Sequence, residues 1–229
     1  MSDCGLGVKL GEQRIWHWRG WQIRYTHLVS SQASSQNVQN ETPLLLIHGV
    51  GSSLEQWREN LTEFAKERPV YALDLLGFGG SQKVSTALST GLRVEQVADF
   101  CETFFRRPIL LIGHSLGALV ALQMATTHPD QVSQLIMLTL PAARQEIGGA
   151  AAKIGAVVEG WFASPLLIRP LMHLLRQPWL IRSALRASAQ KPEKVDDDLV
   201  NSCVRPSRDR YAARLFCYLG KSRTADTFS

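Results

Sequence analysis

Four apolar runs constrain this chain more than any other feature: "PLLLIHG" at 43–49, "PVYALDLLG" at 69–77, "PILLIGHS" at 108–115 and "QLIMLTL" at 134–140. Each is continuous rather than alternating, the pattern of strands covered on both faces. Three open with proline (Pro43, Pro69, Pro108), where a strand tolerates the missing N–H. Helical periodicity lies between the runs and is clearest over 92–106, where Val94, Val97, Ala98, Cys101, Phe104 and Phe105 share one stripe. Alternation of this kind requires right-handed crossovers, so the expected class is α/β, a mostly parallel sheet flanked by helices. Ligands on such sheets bind beyond the carboxyl ends of the strands.

Ahead of the first run, residues 13–29 read as two short strands around Arg19-Gly20, rich in aromatic and β-branched residues. The polar stretch 30–42 reads as a surface loop. After Leu140 the alternation stops. Residues 144–218 carry no strand signal, and Pro165, Pro170, Pro178, Pro192 and Pro206 separate short helical pieces. The expected organisation is a core over 1–143, a helical region over 144–219 and a polar tail over 220–229.

Composition excludes several classes. A hydrophobic fraction of 45% with 20% charged residues suits a folded domain rather than a disordered chain. No apolar stretch reaches the ~18 residues of a membrane span, and "MSDCGLGVKLGEQR" lacks a signal-peptide core, so a cytoplasmic location is expected. Cys4, Cys101, Cys203 and Cys217 are widely spaced, without a CxxC pair or neighbouring histidines, so neither metal nor cofactor is expected. The net charge of +5 resides in the last third: residues 1–143 hold 11 Lys/Arg against 12 Asp/Glu, residues 144–229 hold 14 against 8. No basic stripe with interleaved aromatics accompanies it, so nucleic acid is not an expected partner. Contact of the basic helical region with a membrane surface is the weaker alternative to a solvated arginine face.

The chemistry concentrates at "GHSLG", residues 113–117. A strand that turns abruptly into a helix pushes one side chain out at the apex and crowds the positions two before and two after it. Gly113 and Gly117 relieve that crowding around Ser115, with His114 and Leu116 beside it. The following helix offers its free N–H groups and positive dipole end to an anion forming at Ser115, with Leu116 N–H as the natural donor. "HGVGSS", from His48 and Gly49 onward, gives a second glycine-rich loop whose Val50 N–H can serve as the other donor. "DLLGFGGS", residues 74–81, gives a third loop, which Asp74 can fasten through backbone hydrogen bonds.

In this order and spacing the three segments resemble the α/β-hydrolase family: the HG loop, the D-x-x-G-x-G-x-S loop and the G-x-S-x-G elbow. The resemblance covers roughly residues 13–140, and residues 144–218 look like that family's helical cap. It implies a serine hydrolase of the capped, esterase-like kind acting on an ester or related acyl bond. Ser115 would be the nucleophile, Val50 and Leu116 the oxyanion hole, and His48, Gly49, Asp74, Gly113, His114 and Gly117 the structural frame. A serine at the elbow argues against the branches that use a carboxylate nucleophile.

The family's acid and histidine follow the last strands, and here the last histidine is His173, inside the helical region. His128 stands about 12 helical residues from Ser115, roughly 18 Å along the axis, beyond the reach of a base. His17 and His27 read as sheet-surface residues, and Asp74 precedes the serine in a structural loop. The chain therefore reads as core and cap truncated before the triad's acid and base, its sheet left with an open edge. Two alternatives stand beside an ester hydrolase: a binding protein that keeps the capped pocket without catalysis, and a lyase or acyltransferase of the same fold.

Overall fold

The computed structural model describes residues 10–29, 41–84, 86, 88–139, 177–188 and 192–207. The chain divides into two units, Met1–Gln82 with Gly91–Leu140, and Lys83–Thr90 with Pro141–Ser229.

The first unit holds six strands: β1 (Glu12–Trp18), β2 (Trp21–Leu28), β3 (Leu44–Ile47), β4 (Val70–Leu73), β5 (Ile109–His114) and β6 (Val132–Leu138). They lie in the order β1-β2-β4-β3-β5-β6. The apolar runs form the parallel part, β4-β3-β5-β6, with Leu44 opposite both Val70 and Leu110. The aromatic segment forms an antiparallel hairpin whose second strand adds to β4, Tyr25 opposite Leu73. Its two-residue turn places Arg19 at φ 50° and Gly20 at φ 84°. Two successive positive φ values match the twist of flanking strands, which is why a glycine stands there. The left-handed Arg19 is held from outside, donating to Glu95 at 2.5 Å and Asp99 at 3.1 Å, while Trp18 Nε1 donates to Asp99 at 2.7 Å.

Two layers cover this sheet because β3 is apolar at every position. Leu44 and Leu46 pack with Leu54, Trp57, Leu61 and Ala65, which belong to a 3₁₀ turn (Leu54–Trp57) and a short helix α1 (Leu61–Phe64) with its end. Helix α2 (Thr90–Phe104) brings Phe100 and Phe104 against Trp16 and Tyr25, with ring centroids 5.0–6.0 Å apart. Complete burial of each leucine is worth about 1.5–3 kcal/mol. Helix α3 (Leu116–Thr127) buries Ala118, Val120, Ala121 and Met124. The stripe read from the sequence is buried at Val94, Val97, Ala98 and Cys101, and burial pushes the Cys101 thiol up to about 12, so it stays an inert thiol.

In the second unit, α4 (Pro178–Ser188) and α5 (Asp197–Ser207) pack Ile181, Leu185 and Leu199 against Val195, Val200 and Val204. Arg182 pairs with Asp197 across them. The expectations for 144–176 and 208–229, His173 included, lie outside the described residues.

Among the described residues β6 is the outer strand beside the elbow strand. Ile136, Met137 and Leu138 are 44%, 41% and 41% exposed. Neighbouring side chains of a strand point to opposite faces, so apolar surface is accessible on both sides of a strand whose outer edge has no partner among the described residues, the situation that invites edge pairing. We therefore expect the 229-residue chain to self-associate as its concentration rises, and Met137→Lys to suppress this while preserving the far-ultraviolet circular dichroism. Light scattering at matched concentrations checks it, and a monomeric wild type would contradict it.

Candidate active site

The chain runs from β3 to β4 on one side of β3, then returns to place β5 on the other side. The loops leaving β3 and β5 therefore diverge, and a crevice opens between their carboxyl ends. The HG loop leaves β3 and the GHSLG turn ends β5, so topology brings together two segments more than sixty residues apart.

Ser115 sits at the turn with φ 53° and ψ −114°, a conformation costly for a residue with a side chain. It persists because its neighbours over-determine it. Ser115 N–H donates to Leu138 O at 2.9 Å, and its carbonyl accepts from Ala118 and Leu119 at 2.9 and 3.1 Å. A Cβ at Gly113 would run into the Gly117 carbonyl; one at Gly117 would strike Ile47 O and, at 2.6 Å, His48 O. Both glycines are thus required by close approach of backbone to backbone. With Ala118 and Leu119 donating to Ser115 O, the Leu116 and Gly117 N–H groups at the start of α3 are the ones left without an intrahelical acceptor.

Gly49 lies directly against the elbow. A Cβ there would stand 3.3 Å from Ser115 Cβ and 2.7 Å from His114 Nδ1. Val50, next in the loop, is 43% exposed. His48 is wholly buried, and both ring nitrogens are committed. Its Nδ1–H donates to Gly49 O at 2.7 Å, while Nε2 accepts from Leu75 N–H at 3.1 Å. This fixes the tautomer and joins the HG loop to the loop after β4. Burial, the largest influence, pushes the His48 pKa below its ordinary 6.5 against the opposing pull of Asp74 and the Gly49 carbonyl, so the ring is neutral.

Asp74 is buried with 0% exposure. One carboxylate oxygen accepts from Leu54 N–H at 2.7 Å; the other accepts from Gly80 N–H at 2.7 Å and Arg24 Nε at 2.5 Å. Gly79, at φ 48°, leaves no room for a Cβ beside that carboxylate. Arg24 also forks onto Glu55, 2.8 Å from each guanidinium nitrogen to its own oxygen. Burial works against the Arg24 charge, but Asp74 and Glu55 outweigh it and raise its pKa. Burial likewise opposes the Glu55 charge, and the Arg24 hydrogen bond and charge more than offset it, holding Glu55 below its ordinary 4.5.

Of the remaining described histidines, His17, His27 and His128 stand away from the elbow and His114 adjoins it. His128 caps the far end of α3, its Nδ1 2.8 Å from Thr127 Oγ1. His27 stacks on Tyr71 at 4.2 Å, and His17 is exposed on β1. His114 Nδ1 is buried with no hydrogen-bond partner, and burial lowers its pKa. Sequence reasoning did not single out Arg24, Glu55 or Gln56; only their approach in space marks them. Among the described residues, no group of three His, Cys, Asp or Glu side chains could hold a metal ion, and no helix is long and apolar enough to cross a membrane.

Residues 42–167, more than half of the chain, match the family of the alpha/beta hydrolase fold, and the chain belongs to that family. Human 1-acylglycerol-3-phosphate O-acyltransferase ABHD5 is 33% identical over 122 residues, 52% of this chain and 32% of that protein. The (E)-2-((N-methylformamido)methylene)succinate hydrolase of Acinetobacter baylyi is 35% identical over 100 residues, 42% of this chain and 36% of that protein. The matched segment thus spans about a third of the length of these relatives. Cfl2 from Burkholderia cenocepacia shares the fold with a TM-score of 0.74 at 22% identity, over 93% of this chain and 73% of that structure.

Two outcomes follow. Gly117→Ala should destabilise by about 2–3 kcal/mol, because its Cβ meets backbone that cannot rotate away; an unchanged urea midpoint would contradict this. His48 supplies a pH dependence: its folded pKa is depressed, so its contribution is complete above about 6.5 and is lost as pH falls below it. Urea midpoints at pH 7.5 and 5.5 should differ in the wild type and differ less in His48→Gln. His27 and His114, depressed in the same direction, keep that slope from vanishing.

Proposed function

We propose that this chain carries the nucleophilic half of a serine hydrolase that cleaves a carboxylic ester or related acyl bond in a small substrate. The observation that carries the reading is the strained Ser115 at the carboxyl end of β5, against Gly49 and at the start of α3. Ser115 Oγ attacks the acyl carbon and its proton passes to a general base. The tetrahedral oxyanion is held by the Val50 and Leu116 N–H groups, preorganised by the HG loop and the helix start. Collapse expels the alcohol, which takes up the proton, and water then releases the acid from the acyl enzyme.

Within this reading the base is not His48, His128, His17 or His27. His48 has no free nitrogen, His128 stands at the other end of α3, and His17 and His27 belong to the hairpin. With the base uninvolved, the oxyanion hole and substrate binding together are worth about 10³–10⁴ over water. The reading keeps residues 144–219 as the family-like cap that the sequence suggests, and a cytoplasmic setting. An acyltransferase differs only in letting an alcohol replace water at the acyl enzyme, and the name of the human relative favours keeping that variant. A capped binding protein without turnover is the second reading, favoured by the commitment of both His48 nitrogens.

A fluorophosphonate probe distinguishes these. The hydrolase and acyltransferase readings require a covalent adduct on the Ser115 peptide, read by mass spectrometry and absent in Ser115→Ala. Probe that never attaches at any concentration, with an acyl ligand retained unchanged, would establish the binding protein instead.

A further inference from the structure

We propose that Arg24 is a positioning residue for the oxyanion loop: its fork onto Glu55 holds the segment Gly49–Trp57, and with it the Val50 N–H, at a set distance from Ser115. The proposal rests on the serine-hydrolase reading for its catalytic consequence, but not for its structural content.

Arg24 belongs to β2, two strands away from β3 in the sheet. It reaches the loop after β3 because Asp74 N–H donates to its carbonyl at 2.9 Å, which brings the end of β4 beside it, and because its side chain spans the carboxyl end of β4. Nε is given to Asp74, Nη1 to Gln13 and Glu55, and Nη2 to Glu55. Glu55 lies in the turn that directly follows the loop, and the next residue, Gln56, reaches back so that its Oε1 accepts from Gly49 N–H at 3.2 Å. Leu54 N–H, one residue earlier, is held by Asp74. A continuous chain of contacts therefore runs from Arg24 through Glu55 and Gln56 to Gly49, which is the residue packed against Ser115.

Two features point to geometry rather than bulk stability. A part-buried ion pair of this kind is about as stable as well-packed apolar side chains, whereas a guanidinium fork fixes direction as well as distance. Room for it has been left on purpose by the chain: a Cβ at Gly80 would stand 2.5 Å from Arg24 Nε. Lysine, a point charge with no fork, cannot reproduce the arrangement.

The test uses the full 229-residue chain and three variants, Glu55→Ala, Glu55→Gln and Arg24→Lys. Glu55 stands in a turn outside the sheet, and Arg24 keeps Asp74 as a partner when Glu55 is replaced, so its variants keep the question answerable if Arg24→Lys fails to fold. Amide hydrogen exchange and the kinetics of fluorophosphonate attachment at Ser115 are read together. We expect amides of residues 49–57 to exchange about tenfold faster while those of β3, β5 and α3 keep their protection. We expect the limiting rate of attachment to fall about tenfold, with the concentration for half-maximal rate within about twofold. Arg24→Lys should match Glu55→Ala, since it keeps the charge but not the fork. Unchanged exchange over 49–57 overturns the proposal whether or not Ser115 reacts, as does loss of protection throughout the sheet, which would make the role merely structural. Local loosening with attachment unaffected also overturns it. A wild type that never reacts sinks the hydrolase reading, and the exchange result alone then decides whether the clamp exists.

Discussion

The carboxylate of Asp74 is the interaction on which the site's frame depends. It is sealed from solvent, and it accepts three hydrogen bonds, from Leu54 N–H, Gly80 N–H and Arg24 Nε, drawn from three separate segments. Its backbone joins the same network: the carbonyl accepts from Ser81 Oγ at 2.8 Å and Gln96 Nε2 at 3.2 Å. A buried carboxylate is tolerable only when its lone pairs and charge are satisfied together, and removing one partner from such a pair typically costs about 3–5 kcal/mol. The ends of β2, β3 and β4 are bound to one another by that requirement. Sheet hydrogen bonds align strands, but they do not dictate where the loops beyond them go; Asp74 does.

The second constraint is close approach. Strand order alone makes a crevice between the ends of β3 and β5, yet a crevice lined by ordinary side chains would keep the HG loop too far from the elbow to act with it. Gly117 against the Ile47 and His48 carbonyls, and Gly49 against Ser115 and His114, remove the intervening atoms. The tautomer of His48 then ties Gly49 to Leu75. The loop after β3 is thus held from the elbow side by contact and from the β4 side by hydrogen bonds, with no freedom left to either.

Much of this was legible in the sequence because its signals are local. Continuous apolar runs announced β3, β4, β5 and β6, and the glycine spacing around Ser115 announced a turn whose dihedral angles the fold shows. The hairpin around Arg19-Gly20 was equally readable, but its place beside β4, which makes the sheet mixed, was not, since antiparallel addition there depends on partners fifty residues away. Phe100 is buried against Trp16, Tyr25 and Tyr71, and it escaped the helical stripe because the aromatic layer covers more of α2 than one narrow face. Arg24, Glu55 and Gln56 look in sequence like surface residues on a strand and a turn. Charged and amide side chains carry no periodic signal, so only three-dimensional proximity distinguishes a clamp from a solvated pair. The segment Lys83–Thr90, grouped with the second unit, has no sequence marker either.

The elbow shows how far geometry and proton transfer can be separated. The strain of Ser115, of order 1–3 kcal/mol, is sustained by hydrogen bonds to Leu138, Ala118 and Leu119 and by the two flanking glycines. None of these involves a histidine or an acid of a triad. A base accepts the hydroxyl proton, but it does not set the backbone that aims the hydroxyl. His48, the histidine of the loop packed on the elbow, is spent on architecture: it is kept neutral by burial and bonded at both nitrogens, so it can neither take a proton nor release one without breaking the link between the two loops. On the serine-hydrolase proposal, nucleophile position and oxyanion geometry are set by β3, β5 and the loops that leave them, and proton transfer is a separate task for a side chain free to change its charge.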